Sequence, residues 1–210
     1  NGFLPDLTTI SPQVAEKAKI MFLNYPNKPT AAVAPLSFFE EVVDFARKYN
    51  IVVCHDAAYS ELAFDGYRPV SFLQAPGAKE VGIEFHSVSK TYNLAGVRLG
   101  FAVGNKDVIG ALAELKSNID YGVFGPVLQA GAYALNASQE NVEMNRQAYQ
   151  ERRDIWVKGC AEVGWHMPSP KGSMFVWAPV PTEQDSRSFA FTLAREAGIV
   201  VVPGVAFGEY

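Results

Sequence analysis

The sequence predicts an α/β fold built on a mainly parallel sheet, followed by part of a smaller α+β unit. Three observations carry this. Ile20-Met21-Phe22-Leu23 and Ile51-Val52-Val53-Cys54 are short uncharged runs of the kind that form buried strands, and an amphipathic stretch separates them. Strand, helix and strand in that order make a βαβ unit, whose strands run parallel. After Gly164 the texture shifts to short elements spaced by proline and glycine.

Taken in order, Ser11-Pro12 is a helix start, a hydroxyl cap followed by proline at the first helical position. The first strand breaks into Asn24-Tyr25-Pro26-Asn27-Lys28-Pro29-Thr30, where two prolines and two asparagines enforce a loop. Ser37-Phe38-Phe39-Glu40 has capping-box spacing. Phe38, Val42, Phe45, Ala46 and Tyr49 then recur at helical spacing over about four turns. The second strand runs into His55-Asp56-Ala57-Ala58-Tyr59. A turn-rich span, 64–79, leads to a third strand, Val81 to Phe85, and to the loop His86-Ser87-Val88-Ser89-Lys90.

The next strand, near Leu99 to Val103, follows after about a dozen residues with no helical pattern, too few for the usual helical crossover. It is therefore expected to run antiparallel. Helices follow over 108–116 and 127–135, then a long polar helix reaching Val163, of the kind that bridges two domains. Met174 to Trp177 and Ile199 to Val202 read as strands, with a helix from Phe189 to Ala197 that Gly198 ends. The expected division is 1–138 for part of the large domain and 139–210 for the bridging helix and an incomplete small domain. Asn1 in place of Met, and the loop-like 203–210, read as the ends of a piece of a longer protein.

Composition narrows the function. Hydrophobic residues make up 49% and charged residues 19%, ordinary for a globular chain with a sizeable core. A net charge of -4 with no basic block argues against nucleic acid as a partner. No apolar run approaches the roughly 20 residues of a membrane span. Cys54 and Cys160 make no disulfide framework, and the chain reads as cytoplasmic. His55, His86 and His166 have no metal-ligand spacing, so no metal is expected.

The chemistry gathers in three loops. Asn27 and Lys28 follow the first strand, Asp56 and Tyr59 the second, and Ser87, Ser89 and Lys90 the third. In a parallel sheet all lie at the carboxyl edge, where open α/β sheets bind ligands. A lysine amine can form a Schiff base with an aldehyde cofactor. A carboxylate such as Asp56 can hold the proton on a pyridine nitrogen, making the ring an electron sink. Ser87, Ser89 and the Arg98 fork suit a phosphate.

Asn-Tyr-Pro-Asn-x-Pro-Thr at 24–30, Asp-x-x-Tyr at 56–59 and Ser-x-Ser-Lys with Arg-x-Gly at 87–100 resemble the fold-type I pyridoxal-phosphate enzymes, the aspartate-aminotransferase-like family. The wording Gly-Ile-Glu-Phe-His-Ser-Val-Ser-Lys-Thr-Tyr-Asn is most similar to its bacterial LL-diaminopimelate, aspartate or alanine aminotransferase branch. The resemblance implies helices on both faces of the sheet, pyridoxal 5'-phosphate as cofactor, amino acid and 2-oxo acid substrates, and a homodimer. It makes Lys90 the internal-aldimine lysine and proton shuttle, and Asp56 the partner of the pyridine nitrogen. Tyr59 would bond the phenolic oxygen, and Ser87 and Arg98 the phosphate. The family loop usually reads Asn-Asn-Pro-Thr-Gly, with its second asparagine on the phenolic oxygen; here Lys28 and Ala31 stand instead. Either the Lys28 cation favours the deprotonated oxygen, or Lys28 points to solvent and Asn27 or water replaces it.

Further site pieces of the family fall outside this sequence, so the piece alone is not expected to transaminate. A β-lyase of the same fold, or a non-catalytic effector domain of a transcription regulator, are the alternatives to an aminotransferase.

Overall fold

A computed structural model describes residues 2–208; Asn1 and the last two residues of the expected terminal loop, Glu209 and Tyr210, lie outside them. Four strands form one sheet in the order β1 (Ile20–Asn24), β2 (Val52–Asp56), β3 (Gly82–Ser87), β4 (Gly100–Gly104). The first three are parallel, and β4 runs antiparallel to β3, as the short connection requires. Helices lie on both sides of this mixed sheet.

Helix α1 (Pro12–Lys17) starts as the sequence predicts, with the Ser11 hydroxyl accepting from the Val14 amide. Helix α2 (Leu36–Tyr49) covers one face of the sheet. Its buried stripe is Phe39, Val42, Val43 and Ala46, an i, i+3, i+4, i+7 set, with Phe38 beside it. Phe45 and Tyr49 sit at the margin and pack on each other, ring centres 4.8 Å apart. The expected capping box does not form. The helix begins at Leu36 with Pro35 as its cap residue, so Ser37 lies inside the first turn, beyond reach of the amides a cap would serve. At the other end Asn50 adopts the left-handed conformation (φ 55°), a role asparagine tolerates, and Ile51 enters β2.

The core lies between α2 and the sheet. Phe39 is fully buried and meets Tyr25, Phe38, Phe72 and His55, with ring centres 5.0–6.4 Å apart. Short helices α3 (Ala78–Val81) and α4 (Val88–Thr91) flank β3, so β3 begins at Gly82 rather than Val81. Gly100 and Gly104 serve the antiparallel pair. A side chain on Gly100 would meet the His86 carbonyl at 2.7 Å, and Gly104 has φ 138° against the Gly82 carbonyl. Their role is close backbone approach within a strand.

Helices α5 (Lys106–Ile119), α6 (Gly125–Asn136) and α7 (Glu140–Glu162) follow, the last being the long polar helix expected from sequence. After it, α8 (Ser186–Thr192) runs into a π-helical turn, Leu193–Ala197, closed by Gly198 at φ 68°. The strands expected at 174–177 and 199–202 do not form: among the described residues those segments find no partner strand. Apolar residues without a ladder to join stay irregular, because a strand is stabilised by its neighbours more than by its own propensity.

Replacing Phe39 with alanine should destabilise the full-length protein by about 3–5 kcal/mol. Chemical denaturation followed by circular dichroism measures this, and a loss under roughly 1 kcal/mol would remove Phe39 from the centre of the core.

Candidate active site

The parallel register aligns the strand ends: Asn24 pairs with Asp56, and Asp56 with Phe85. Asn24 ties two loops together. Its Nδ2 donates to the Asp56 carbonyl at 2.8 Å, and its Oδ1 accepts from the Lys28 amide at 2.8 Å. Asn27 is engaged within its own turn. Its Oδ1 accepts from the Thr30 amide (3.1 Å) and hydroxyl (2.7 Å), while its Nδ2 donates to the Asn24 carbonyl (3.2 Å).

Asp56 is exposed at the end of β2, and its Oδ1 accepts from the Ala58 amide at 3.1 Å. This turn delivers Tyr59 to a buried position, edge-on to Phe175 with ring centres 5.6 Å apart. Burial raises the Tyr59 phenol pKa, and the Asp56 carboxylate adds to the rise. Two amines flank this ring pair: Lys90 Nζ lies 6.0 Å from the Tyr59 ring centre, and Lys28 Nζ lies 5.7 Å from that of Phe175. Lys90 is half-buried and Lys28 exposed.

Ser87 closes β3 and caps α4, its Oγ accepting from the Ser89 amide at 3.2 Å. Ser89 is buried. The Val88 amide donates to the Leu99 carbonyl at 3.2 Å, which sets the Arg98 backbone beside this loop. Arg98 is in the left-handed conformation (φ 59°), uncommon for a side chain of its size. Its exposed guanidinium donates to the Ala95 carbonyl at 2.8 Å. The structure thus brings Asp56 and Lys90 to Tyr59, and Lys28 to the Phe175 ring that packs on it. Ser87 and Arg98 adjoin at the β3–β4 end.

Three features escape a reading of the sequence alone. Phe175 reaches Tyr59 because 171–173 pairs with 62–64: the Phe64 amide donates to the Lys171 carbonyl (2.9 Å), and the Ser173 amide to the Leu62 carbonyl (2.7 Å). Buried Arg153 of α7 secures the junction, donating to both Asp65 oxygens (2.7 and 2.8 Å) and to the Pro170 carbonyl (2.7 Å). Asn145 of α7 donates to the Lys90 carbonyl at 2.9 Å, tying the long helix to the lysine turn. No local pattern marks either contact.

The third feature is Glu84, buried within β3. Its carboxylate accepts from His55 Nδ1 (2.9 Å), His86 Nε2 (2.8 Å), the Ser71 hydroxyl (2.9 and 3.0 Å) and the Phe72 amide (2.8 Å). Burial opposes its charge, yet the hydrogen bonds from His55, His86 and Ser71 hold its carboxyl well below the usual carboxylate range. An acid inside an apolar strand, with histidine on either strand end, was the available signal.

This donor set has the chemistry of a particular cofactor. An amine answers an aldehyde, a carboxylate a pyridinium nitrogen, a buried phenol a ring oxygen, and a hydroxyl with a guanidinium a phosphate. Comparison with known proteins agrees. The family described as aminotransferase class I and II matches residues 1–209. The chain belongs to the class I and II aminotransferases. It is 59% identical over 210 residues to LL-diaminopimelate aminotransferase of Moorella thermoacetica and 55% identical to that of Desulforudis audaxviator, covering all of this chain and 54% of each relative. The solved apo structure of BacF from Bacillus subtilis superposes with a TM-score of 0.94 at 45% identity, over 100% of this chain and 53% of that one. An aminotransferase from Staphylococcus aureus gives 0.91 at 37% identity, over 98% and 55%. The chain therefore spans about half the length of these relatives. The family is pyridoxal-phosphate-dependent.

Glu84 gives a pH prediction. A carboxyl whose folded pKa is depressed contributes stability above its unfolded pKa and loses it as pH falls toward the folded value. Glu84→Gln should therefore cost about 3 kcal/mol at neutral pH. Below roughly pH 4, where an unfolded glutamate protonates, the gap between the two proteins should narrow. Urea unfolding across this range tests it; a pH-independent gap would mean that folding leaves the pKa of this carboxyl unchanged.

Proposed function

We propose that the whole protein is a pyridoxal-phosphate-dependent aminotransferase that moves an amino group between an amino acid and a 2-oxo acid. The observation that supports this most is the convergence of Lys90, Asp56 and Tyr59 at one sheet edge. The identity to relatives named LL-diaminopimelate aminotransferase favours that diamine acid as the amino donor over aspartate or alanine. We further propose a cytoplasmic homodimer, with residues 1–138 in the cofactor domain and 139–210 forming the bridging helix and part of a smaller domain.

Bound pyridoxal phosphate supplies an electron sink that acidifies the α-carbon of the amino acid. In this reading Asp56 holds a proton at the pyridine nitrogen, and the Tyr59 hydroxyl donates to the phenolic oxygen. Ser87 and Arg98 would hold the phosphate, for which Arg98 would exchange its bond to the Ala95 carbonyl. The Lys90 amine would take the proton from the substrate α-carbon and hold it for return, serving as general base and then acid. Asn27, spent on its turn, shapes the loop, and Lys28 brings a second positive charge to the ring pair.

Lys90→Ala in the full-length protein should lower turnover by roughly a thousandfold or more, since a positioned acid–base group is lost along with the amine that anchors the cofactor. Amino transfer from LL-diaminopimelate to a 2-oxo acid measures it, and full turnover in the variant would remove Lys90 from the chemistry. Release of ammonia and pyruvate without any acceptor acid would favour a β-lyase instead.

A further inference from the structure

Glu84 places a carboxylate inside the core. A buried carboxylate ringed by donors stabilises a fold no better than well-packed apolar residues would, and often less well. The Glu84 side chain is 2% exposed and that of His55 1%, in the middle of an otherwise apolar layer. Its placement along the strands offers another reason. His55 immediately precedes Asp56, and His86 immediately precedes Ser87. Successive residues of a strand point to opposite faces. The Glu84 network therefore occupies one face of the sheet, and the next residue along each strand turns to the other.

We propose that Glu84 is a positioning residue for the cofactor edge, fixing His55 and His86 on the buried face and through them the Asp56 and Ser87 that follow. This rests on the assignment of Asp56 and Ser87 to the cofactor made above. The geometry makes Glu84 the common restraint. His55 faces it in the β2–β3 register, and His55 Nε2 has no hydrogen-bond partner among the described residues. Glu84 thus supplies the ring's polar restraint, while Phe39 and Phe72 crowd it at 5.0 and 6.3 Å. His86 bonds the other carboxylate oxygen and stacks on Phe101 of β4, ring centres 5.1 Å apart and planes 16° apart. Ser71 and Phe72 close the remaining sites on the carboxylate, which leaves it one orientation. Across β4 the residue opposite Glu84 is Val103, which carries no charge. A cavity of about 250 Å³ opens onto Glu84 and His86, and Glu61, Arg68 and Tyr25 are the ionisable groups facing them there.

Glu84→Gln keeps the shape and loses the charge that both histidines answer. The test uses the full-length protein, with pyridoxal phosphate as probe, and reads three quantities: the thermal midpoint without cofactor, the cofactor dissociation constant, and the pH midpoint of the bound cofactor's visible absorbance. The wild type should bind the cofactor. Glu84→Gln, folded by circular dichroism, should bind it about tenfold or more weakly, the equivalent of one charge-assisted hydrogen bond, with a displaced pH midpoint. His86→Gln, at a partly exposed ring, should weaken binding in the same direction, and it decides the matter alone if Glu84→Gln does not fold. Wild-type dissociation constants and pH midpoints in the folded variants, whatever their thermal midpoints, would overturn the proposal and leave Glu84 a core group. A wild type that shows no cofactor absorbance would instead remove the cofactor reading, and this inference with it.

Discussion

The constraint on which the site depends is the parallel pairing of β1, β2 and β3. Parallel strands end on the same edge, and here the register places Asn24, Asp56 and Phe85 side by side at that edge. Three loops far apart in sequence then start on neighbouring strands, each about 5 Å from the next. A slip of one residue in β2 would turn Asp56 into the core and His55 out of it. Apolar packing of α2 against Val53 and Leu23 guards against that slip, as does the hydrogen bond between His55 and Glu84.

What could be read from the sequence followed from local rules. Short apolar runs became β1 and β2, a run broken only by Glu84 became most of β3, and the short link before Gly100 made β4 antiparallel. Ser11 capped α1, and Gly198 ended the helix it follows. The placing of Asp56, Tyr59 and Lys90 at the carboxyl edge of the sheet was legible because strand ends and loop positions agreed; their part in the chemistry belongs to the proposed function. Apart from the start of α2, which is set locally, the failures have a common cause: each depended on a partner distant in sequence. Pro35 rather than Ser37 set the start of α2. The segments 174–177 and 199–202 have strand composition and no strand to pair with. Phe175, Asn145 and Glu84 reach the site through contacts spanning tens of residues, which no window of neighbours encodes.

The carboxyl-terminal part of the chain contributes more to the site than its irregular backbone suggests. The 62–64 and 171–173 pairing and the Arg153–Asp65 ion pair hold Phe175 against Tyr59, while Asn145 grips the Lys90 turn. The long helix α7 therefore touches both sides of the lysine environment. Lys28 is, with Ala31, where this chain departs from the usual family loop, and its ammonium rests against the same ring pair as Lys90. The aromatic pair gives each cation a favourable surface worth about 0.5–1 kcal/mol at an exposed site, and it stands between two amines of unequal burial.

The most direct test of this account asks which amine the cofactor takes. Borohydride reduction of the full-length protein with pyridoxal phosphate, followed by peptide mass spectrometry, fixes the answer covalently. A phosphopyridoxyl group is expected on Lys90, half-buried beside Tyr59. A folded protein labelled on Lys28 alone, or not labelled at all, would contradict it.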